Sequence, residues 1–170
     1  MITSCHSFSA KAIVVASVLL LLCACATTPP LDSSGIDLAL TPAEAISHSE
    51  ELREHRILWG GMIISAANLK TTTQIEILAY PLDSSQRPDT SKPAYGRFLA
   101  QHDGYLETAE LGTGSMLTLS GRLDGTSVSM IGESQYTYPV ISIEEFHLWR
   151  RSDEPADSQV HFGVGVMLHN

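Results

Sequence analysis

The feature that most limits what this chain can fold into is an apolar run close to its amino terminus. After a short segment whose single charge is Lys11, residues 12–22 read Ala-Ile-Val-Val-Ala-Ser-Val-Leu-Leu-Leu-Leu. Counted through Ala26 the run is 15 residues long, which is shorter than the roughly 20 residues of a permanent membrane-spanning helix. It also lacks the polar face that a surface helix of a folded domain needs. A cationic start followed by such a run is typical of an export signal, so we expect the first 24 residues to contribute nothing to the folded domain.

The residues that end this run indicate how the signal is processed. Leu22-Cys23-Ala24-Cys25 resembles the bacterial lipobox, in which an aliphatic residue and then a small residue precede the lipidated cysteine. Cys25 follows the small Ala24, whereas Cys23 follows the bulky Leu22, so Cys25 is the predicted acceptor of an S-diacylglycerol and an N-acyl group. With about 0.8 kcal/mol for each buried methylene, two or three acyl chains hold a domain on a membrane. The predicted organisation is a signal peptide (1–24), a flexible tether (25–40), a β-barrel domain (41–150) and an acidic loop with a C-terminal strand (151–170).

Cysteine content and charge exclude several classes of function. All three cysteines lie in residues 5–25, so processing leaves only Cys25 and no thiol for a disulfide or a metal site. The chain has 10 Lys and Arg against 19 Asp and Glu, and loss of Lys11 changes its net charge from −9 to −10. This charge repels phosphate and argues against a nucleic-acid partner. Six histidines remain in the processed chain, but none forms a His-x-His or His-Glu-x-x-His pair. We therefore predict no metal and no other cofactor.

The hydrophobic period in the middle of the chain is two, which is typical of half-buried strands. The segment 74–79 places its apolar side chains on one face. In residues 116–123, alternation predicts inward-pointing Leu117, Leu119 and Leu123 and outward-pointing Thr118, Ser120 and Arg122. Residues 57–66 are apolar on both faces around Gly60-Gly61, which indicates a bent strand that is covered on both sides. A shorter strand is predicted over 96–101.

The strand predicted over 140–149 changes phase in its middle. Ile141 and Ile143 share one face, whereas Phe146 and Leu148 would continue on the other, with Glu144-Glu145 at the change. A β-bulge at this point is the favoured interpretation. The alternative is a catalytic carboxylate pair. It is disfavoured because neighbouring residues of a strand point to opposite faces and so do not flank one bond.

A helix precedes the strands. Thr41-Pro42-Ala43-Glu44 has the pattern of a capping box with Pro at the first helical position, and it predicts a short helix over 42–54. Together with the strands, this helix gives the predicted fold class. The predicted fold is mainly β: a small antiparallel OB-like closed barrel of five to six strands with a short N-terminal helix.

Several segments resemble one protein family. In chain order they are Trp59-Gly60-Gly61-Met62-Ile63, Tyr80-Pro81-Leu82, Gly96-Arg97-Phe98, Gly104-Tyr105-Leu106, Tyr136-Thr137-Tyr138-Pro139-Val140 and Leu148-Trp149. In this order, over residues 42–150, they resemble the Slp family of outer-membrane lipoproteins, named for starvation induction. The resemblance implies a lipid anchor at the outer membrane and implies no established reaction. Ala26-Thr27 after Cys25 also lacks the Asp that marks inner-membrane retention in bacterial lipoproteins, which favours the periplasmic face of the outer membrane.

The expected molecular role is non-enzymatic binding or scaffolding in the cell envelope, with the membrane, an envelope protein or a glycan as partner. Trp59, Tyr80, Tyr105 and Tyr138 are candidate stacking rings for a sugar. The favoured interpretation of Trp59 and Trp149 is instead that they fill the ends of the barrel. No catalytic residue is predicted. The alternative function is an envelope hydrolase or transferase acting on cell-wall or lipid substrates, and for it the residues to test are His102, Asp103, Glu107 and His147.

Overall fold

The computed structural model describes residues 29–150. Cys25, the predicted signal peptide and the predicted C-terminal strand therefore lie outside the described residues. The described part forms one short helix and five strands, which are α1 (Pro42–Ser47), β1 (Arg56–Asn68), β2 (Thr72–Tyr80), β3 (Gly96–Asp103), β4 (Met116–Ile131) and β5 (Ser134–Trp149). Between residues 29 and 150, no helix is both long and apolar enough to cross a membrane.

The strands close into a barrel in the order β1-β2-β3-β5-β4, and β4 pairs with β1 to complete the ring. This is the five-stranded Greek-key barrel of the OB architecture, so the predicted OB-like, mainly β fold is confirmed, with five strands. One pair departs from the antiparallel expectation, because β3 and β5 run parallel over Leu99–Gln101 and Val140–Ser142. The reason is geometric: a ring with an odd number of strands cannot alternate direction at every step.

The barrel interior follows the predicted alternation. Its fully buried side chains include Ile75, Ile77, Phe98, Leu117, Leu119, Leu123 and Ile141. Thr118 and Ser120 occupy outward positions, as expected, yet they are only 0% and 1% exposed. Thr118 lies under the loop that follows β2, and its hydroxyl donates to the carbonyl oxygen of Gln86 at 2.7 Å. The outward side of β4 is thus covered by irregular chain at Thr118, which alternation alone does not reveal.

The phase change in β5 is a β-bulge, as predicted. Ser120 of β4 pairs with Glu145, and the next residue, Gly121, pairs with Ile143, which leaves Glu144 as the extra residue. The insertion returns the following apolar side chains to the face of Ile141, so that Phe146 and Leu148 pack on the same core. The Glu144 carboxylate accepts from Arg122 Nε at 2.8 Å and from Arg56 Nε at 3.1 Å. Because these side chains are one-third or more exposed, each ion pair contributes at most about 1 kcal/mol.

Gly60-Gly61 gives β1 close neighbours on both faces. A Cβ atom on Gly61 would overlap the carbonyl oxygen of Leu78 in β2. A Cβ atom on Gly60 would lie 2.9 Å from Cδ2 of Leu82 in the loop that follows β2. Residues 57–61 are all buried, which confirms the predicted cover on both sides for this part of the strand.

Helix α1 begins with the predicted capping box. The Thr41 hydroxyl accepts from the Glu44 amide at 3.3 Å, and the Glu44 carboxylate accepts from the Thr41 amide at 2.8 Å. The helix is shorter than predicted, because it ends at Ser47 and residues 48–54 form successive turns. Glu54, at a φ of 63°, then donates its amide to Leu123 and directs the chain into β1. Ala45 is fully buried in the core, so the helix covers part of the barrel interior.

Residues 31–40, which we call the docked segment, contain no helix or strand but contact the barrel at two places. Leu31 is buried. Its amide donates to Gln86 Oε1 at 3.0 Å, and Gln86 Nε2 donates to its carbonyl oxygen at 2.8 Å. At the other end of the segment, Trp59 Nε1 donates to the carbonyl oxygen of Leu40 at 2.8 Å. The predicted tether is therefore attached to the domain at Leu31 and at Leu40.

Candidate functional site

The outward face of β2 and β3 is where OB-folds bind their ligands, together with the loops that flank it. In this protein the β4–β5 hairpin lies over that face. Residues 126–131 and 134–139 pair only with each other, and we call this part of the hairpin the arm. Tyr136 and Tyr138 extend from one face of the arm across β3, and their ring centroids are 4.7 Å apart. Leu99, Tyr138 and Val140 form a second buried apolar cluster on the outside of the barrel.

A polar network holds the arm in this position. Glu76 Oε1 accepts from Arg97 Nη1 at 2.8 Å and from the Tyr138 hydroxyl at 3.0 Å. The Tyr136 hydroxyl accepts from the Arg97 amide at 2.9 Å. Hydrogen bonds to a charged group contribute about 1.5–3 kcal/mol each when they are shielded from water. The network thus connects the arm to both β2 and β3, and its donors and acceptors are hydrogen-bonded to one another.

Ionisation reinforces this arrangement. Burial is the main cause that raises the pKa of the Tyr138 phenol above its usual value of 10.0, and the Glu76 carboxylate raises that pKa further. The phenol therefore keeps its proton at neutral pH and remains a donor to Glu76. The hydrogen bond to Glu76 is also the main cause that raises the pKa of Arg97. The guanidinium on this face is thus held by its carboxylate partner, and Tyr138 is only 3% exposed, so Tyr138 is not an accessible stacking ring.

The other predicted aromatic residues have different environments. Trp59 is in the core and packs edge-on against Phe98 with ring centroids 5.3 Å apart, so its ring is buried. Trp149 lies on the outer side of the barrel wall. The bulge points Leu148 toward the core, and the next residue, Trp149, therefore points outward. Its Nε1 donates to Thr118 at 2.9 Å, and the Arg87 guanidinium lies 5.5 Å from the ring centroid. The prediction that Trp149 fills a barrel end is therefore wrong. Tyr105 is 71% exposed in the loop after β3.

The four candidate catalytic residues do not form one hydrogen-bonded set, although Glu107 and His147 both line a depression of about 420 Å³. His102 at the end of β3 packs edge-on against Phe146, and His147 of β5 packs edge-on against Trp149. Glu107 accepts from the amide of Ala109 in its own loop. Within residues 29–150, no hydrogen bond or ion pair joins any two of His102, Asp103, Glu107 and His147. The same part of the chain contains no group of three His, Cys, Asp or Glu side chains that could hold a metal ion.

Gln86 is an important residue that the sequence does not indicate. It lies in the loop after β2 at a φ of 66° and is 6% exposed. Its side chain binds both backbone groups of Leu31, and its carbonyl oxygen accepts from Thr118. It therefore joins the docked segment to β4. A single glutamine in a polar loop carries no periodic or motif signal, so only the folded structure shows its role.

Besides the depression lined by Glu107 and His147, three further surfaces of the described domain are open to solvent. One depression has a volume of about 870 Å³ and is lined by residues that include Arg87, Thr90, Glu110, Ser115 and Trp149. A smaller depression of about 190 Å³ lies beside the docked segment, where its lining includes Leu38, Trp59, Tyr80, Leu82 and Tyr95. The third surface is the outer face of the arm, where Val128 is 63% and Met130 is 55% exposed.

Comparison with known proteins places these features in a family. The model of the Outer membrane lipoprotein Slp family matches residues 22–166, which include the predicted lipobox and extend beyond the 42–150 region of the resemblance. An uncharacterized protein of Haemophilus influenzae is 30% identical over 122 residues, which cover 69% of this chain and 63% of that protein. The outer membrane protein Slp of Escherichia coli K12 is 30% identical over 91 residues, which cover 54% of this chain and 48% of that protein.

The chain thus spans between about half and 63% of the length of these two relatives. Among solved structures, the mitochondrial single-stranded DNA-binding protein Rim1 of S. cerevisiae is 11% identical, with a TM-score of 0.36 over 56% of this chain and 94% of that chain. Similarity at that level carries no inference about function.

The family match covers most of the chain, from the residues before Cys25 to the C-terminal region, and the chain belongs to the outer membrane lipoprotein Slp family.

Proposed function

We propose that this protein is anchored through acylated Cys25 to the periplasmic face of the outer membrane, where it acts as a non-enzymatic binding or scaffolding protein. Membership of an outer-membrane lipoprotein family supports the location. The register of Leu22-Cys23-Ala24-Cys25 supports the site of acylation. The acidic net charge of the processed chain makes an envelope protein a better partner than a nucleic acid.

The observation that carries the binding role is the outer face of the arm. Tyr136 and Tyr138 on its inner face are engaged with the barrel, whereas Val128 and Met130 on its outer face are more than half exposed. Among residues 29–150, β4 pairs only with β5 from Thr126 to Ile131, so no described strand occupies the other edge of this segment. An extended segment of an envelope protein would add to this edge through backbone hydrogen bonds and cover the two apolar side chains.

Crosslinking in intact cells tests this role. A photocrosslinking residue placed at position 128 is expected to capture an envelope protein, and the double substitution Val128→Asp and Met130→Asp is expected to abolish capture, because charge on the apolar face opposes burial. Leu69→Asp is the matched control, since Leu69 is 53% exposed in the loop between β1 and β2. It should leave capture and thermal stability unchanged. Equal capture by the double variant and the wild type would overturn the binding role of the arm.

Labelling with a radioactive or clickable fatty acid tests the anchor. We expect the label to enter the wild type and to be lost completely in Cys25→Ser, because only the residue after the scissile bond is acylated. Cys23→Ser is the matched control and should retain the label, since Leu22 and Ala24 remain in place. The Cys25→Ser variant should be found in the soluble periplasmic fraction instead of the outer-membrane fraction. Label that persists in Cys25→Ser would contradict the assignment.

The enzymatic alternative has its own discriminating result. In a binding protein, each alanine variant at His102, Asp103, Glu107 or His147 should remain functional as long as it is stably folded and still crosslinks to its partner. One such substitution that abolishes function without changing either property would support a hydrolase or transferase and reject the scaffolding role.

A further inference from the structure

The docked segment brings the barrel close to the predicted lipid anchor. Leu31 is fixed to the barrel through both of its backbone groups, so only residues 26–30 separate the barrel from Cys25. A fully extended chain spans at most about 3.6 Å per residue, so the Cα atoms of Cys25 and Leu31 lie within roughly 20 Å of each other. A free tether over residues 25–40 would allow about 50 Å. The barrel surface near Leu31 is therefore held near the membrane whenever Cys25 is acylated.

That same surface carries exposed apolar side chains. Leu38 is 63% and Tyr95 is 46% exposed, and both line the 190 Å³ depression, whose lining also includes Gln86, the residue that holds Leu31. Tyr95 is positioned by its amide, which donates to the Ala79 carbonyl oxygen at 2.9 Å. We call Leu38, Tyr95 and the depression between them the apolar patch. Exposed apolar groups beside an acyl anchor are suited to the boundary between lipid headgroups and acyl chains, where tyrosine in particular is enriched.

We infer that the apolar patch rests on the lipid bilayer when the protein is anchored, with Leu38 and Tyr95 entering the headgroup region. The inference rests on the proposed acylation of Cys25. Asp37 precedes Leu38 and Asp83 lines the depression, so attraction to anionic lipids does not drive this contact. The short covalent connection and the burial of apolar surface drive it instead. The orientation should therefore be the same on zwitterionic and on mixed vesicles, and insensitive to salt.

The opposite end of the barrel supplies a matched control. Leu69, 53% exposed, lies in the loop at the start of β2, whereas the apolar patch lies at the end of β2 near Tyr80. Nine strand residues separate the two positions, which is about 26 Å. The two leucines are similar in exposure and chemistry, so a difference between them reports orientation alone.

The experiment uses the full acylated protein in phosphatidylcholine vesicles. Leu38→Cys and Leu69→Cys each add a single free thiol, because the sulfur of Cys25 is blocked by its diacylglycerol, and each thiol is labelled with an environment-sensitive fluorophore. We expect a blue shift and severalfold stronger quenching by brominated lipid at position 38 than at position 69. Gln86→Ala, which releases Leu31, should keep the protein on the vesicles and remove most of the difference between the two positions.

The outcomes separate the two proposals. If the wild type does not float with vesicles, or if Cys25→Ser floats equally well, the proposed anchor is wrong. If the wild type floats in a manner that depends on Cys25 but positions 38 and 69 are quenched equally, the anchor stands and the membrane-facing patch is overturned. A difference that persists in Gln86→Ala would show that docking of Leu31 does not set the orientation.

Discussion

Leu119→Asp is expected to unfold the barrel domain. Leu119 is fully buried, and it pairs with Trp59 on one side and with Phe146 on the other. A carboxylate at this position would have no counter-ion in an apolar interior. We expect a loss of at least about 4 kcal/mol, which is comparable with the total stability of many domains. Circular dichroism and chemical denaturation of the soluble domain measure this loss.

The neighbouring position extends the same test. Alternation alone would tolerate Ser120→Asp, but Ser120 is 1% exposed and lies opposite Glu145. We therefore expect this substitution to destabilise the domain severely too, through burial of a charge and repulsion by Glu145. Thr126→Asp, at an exposed position of the same strand, should change stability by less than about 0.5 kcal/mol. Wild-type stability in Ser120→Asp would show that the outer face of β4 is open in solution.

Gly61→Ala should produce the second large effect, although it adds only one methyl group. The new Cβ atom would overlap the carbonyl oxygen of Leu78, and a backbone atom in a paired strand cannot move aside as a flexible side chain can. Overpacking at such a position costs about 3 kcal/mol, which lowers the melting temperature by on the order of 10 °C.

Gly112→Ala is the control for this substitution. A Cβ atom on Gly112 would meet nothing closer than the Ser115 hydroxyl at 4.0 Å, so the melting temperature should not change. Equal melting temperatures for the two alanine variants would mean that β1 and β2 are farther apart than described.

The parts of the fold that could be predicted are those encoded in a few neighbouring residues. Period-two alternation identifies the buried side chains of β2 and β4, because one face of each strand points into the barrel. The phase change at Glu144 predicts a bulge, since only an inserted residue returns Phe146 to the core face. The capping box identifies the start of α1, because its hydrogen bonds join residues three apart. Cys25 is predicted by its local motif in the same way.

What could not be predicted depends on contacts between distant segments. The helix ends seven residues earlier than predicted, and the turns that follow it lead to Glu54, whose amide donates to Leu123 about 70 positions along the chain. Ser120 is buried although its strand phase points it outward. The arm covers the ligand face of the barrel through Tyr138 and Glu76, which are 62 residues apart. The candidate surfaces could not be predicted for the same reason, since exposure of Val128 or Leu38 is known only once the rest of the chain is in place.

The attachment of Leu31 to Gln86 also determines how the domain would respond to mechanical load. A pull applied upstream of residue 29 reaches the barrel first through the two hydrogen bonds of this pair. If they break, the segment from Leu31 to Leu40 can straighten to an end-to-end length of at most about 30 Å before tension reaches the hydrogen bond between Leu40 and Trp59. The docked segment would thus lengthen under load while the strands of the barrel remain paired.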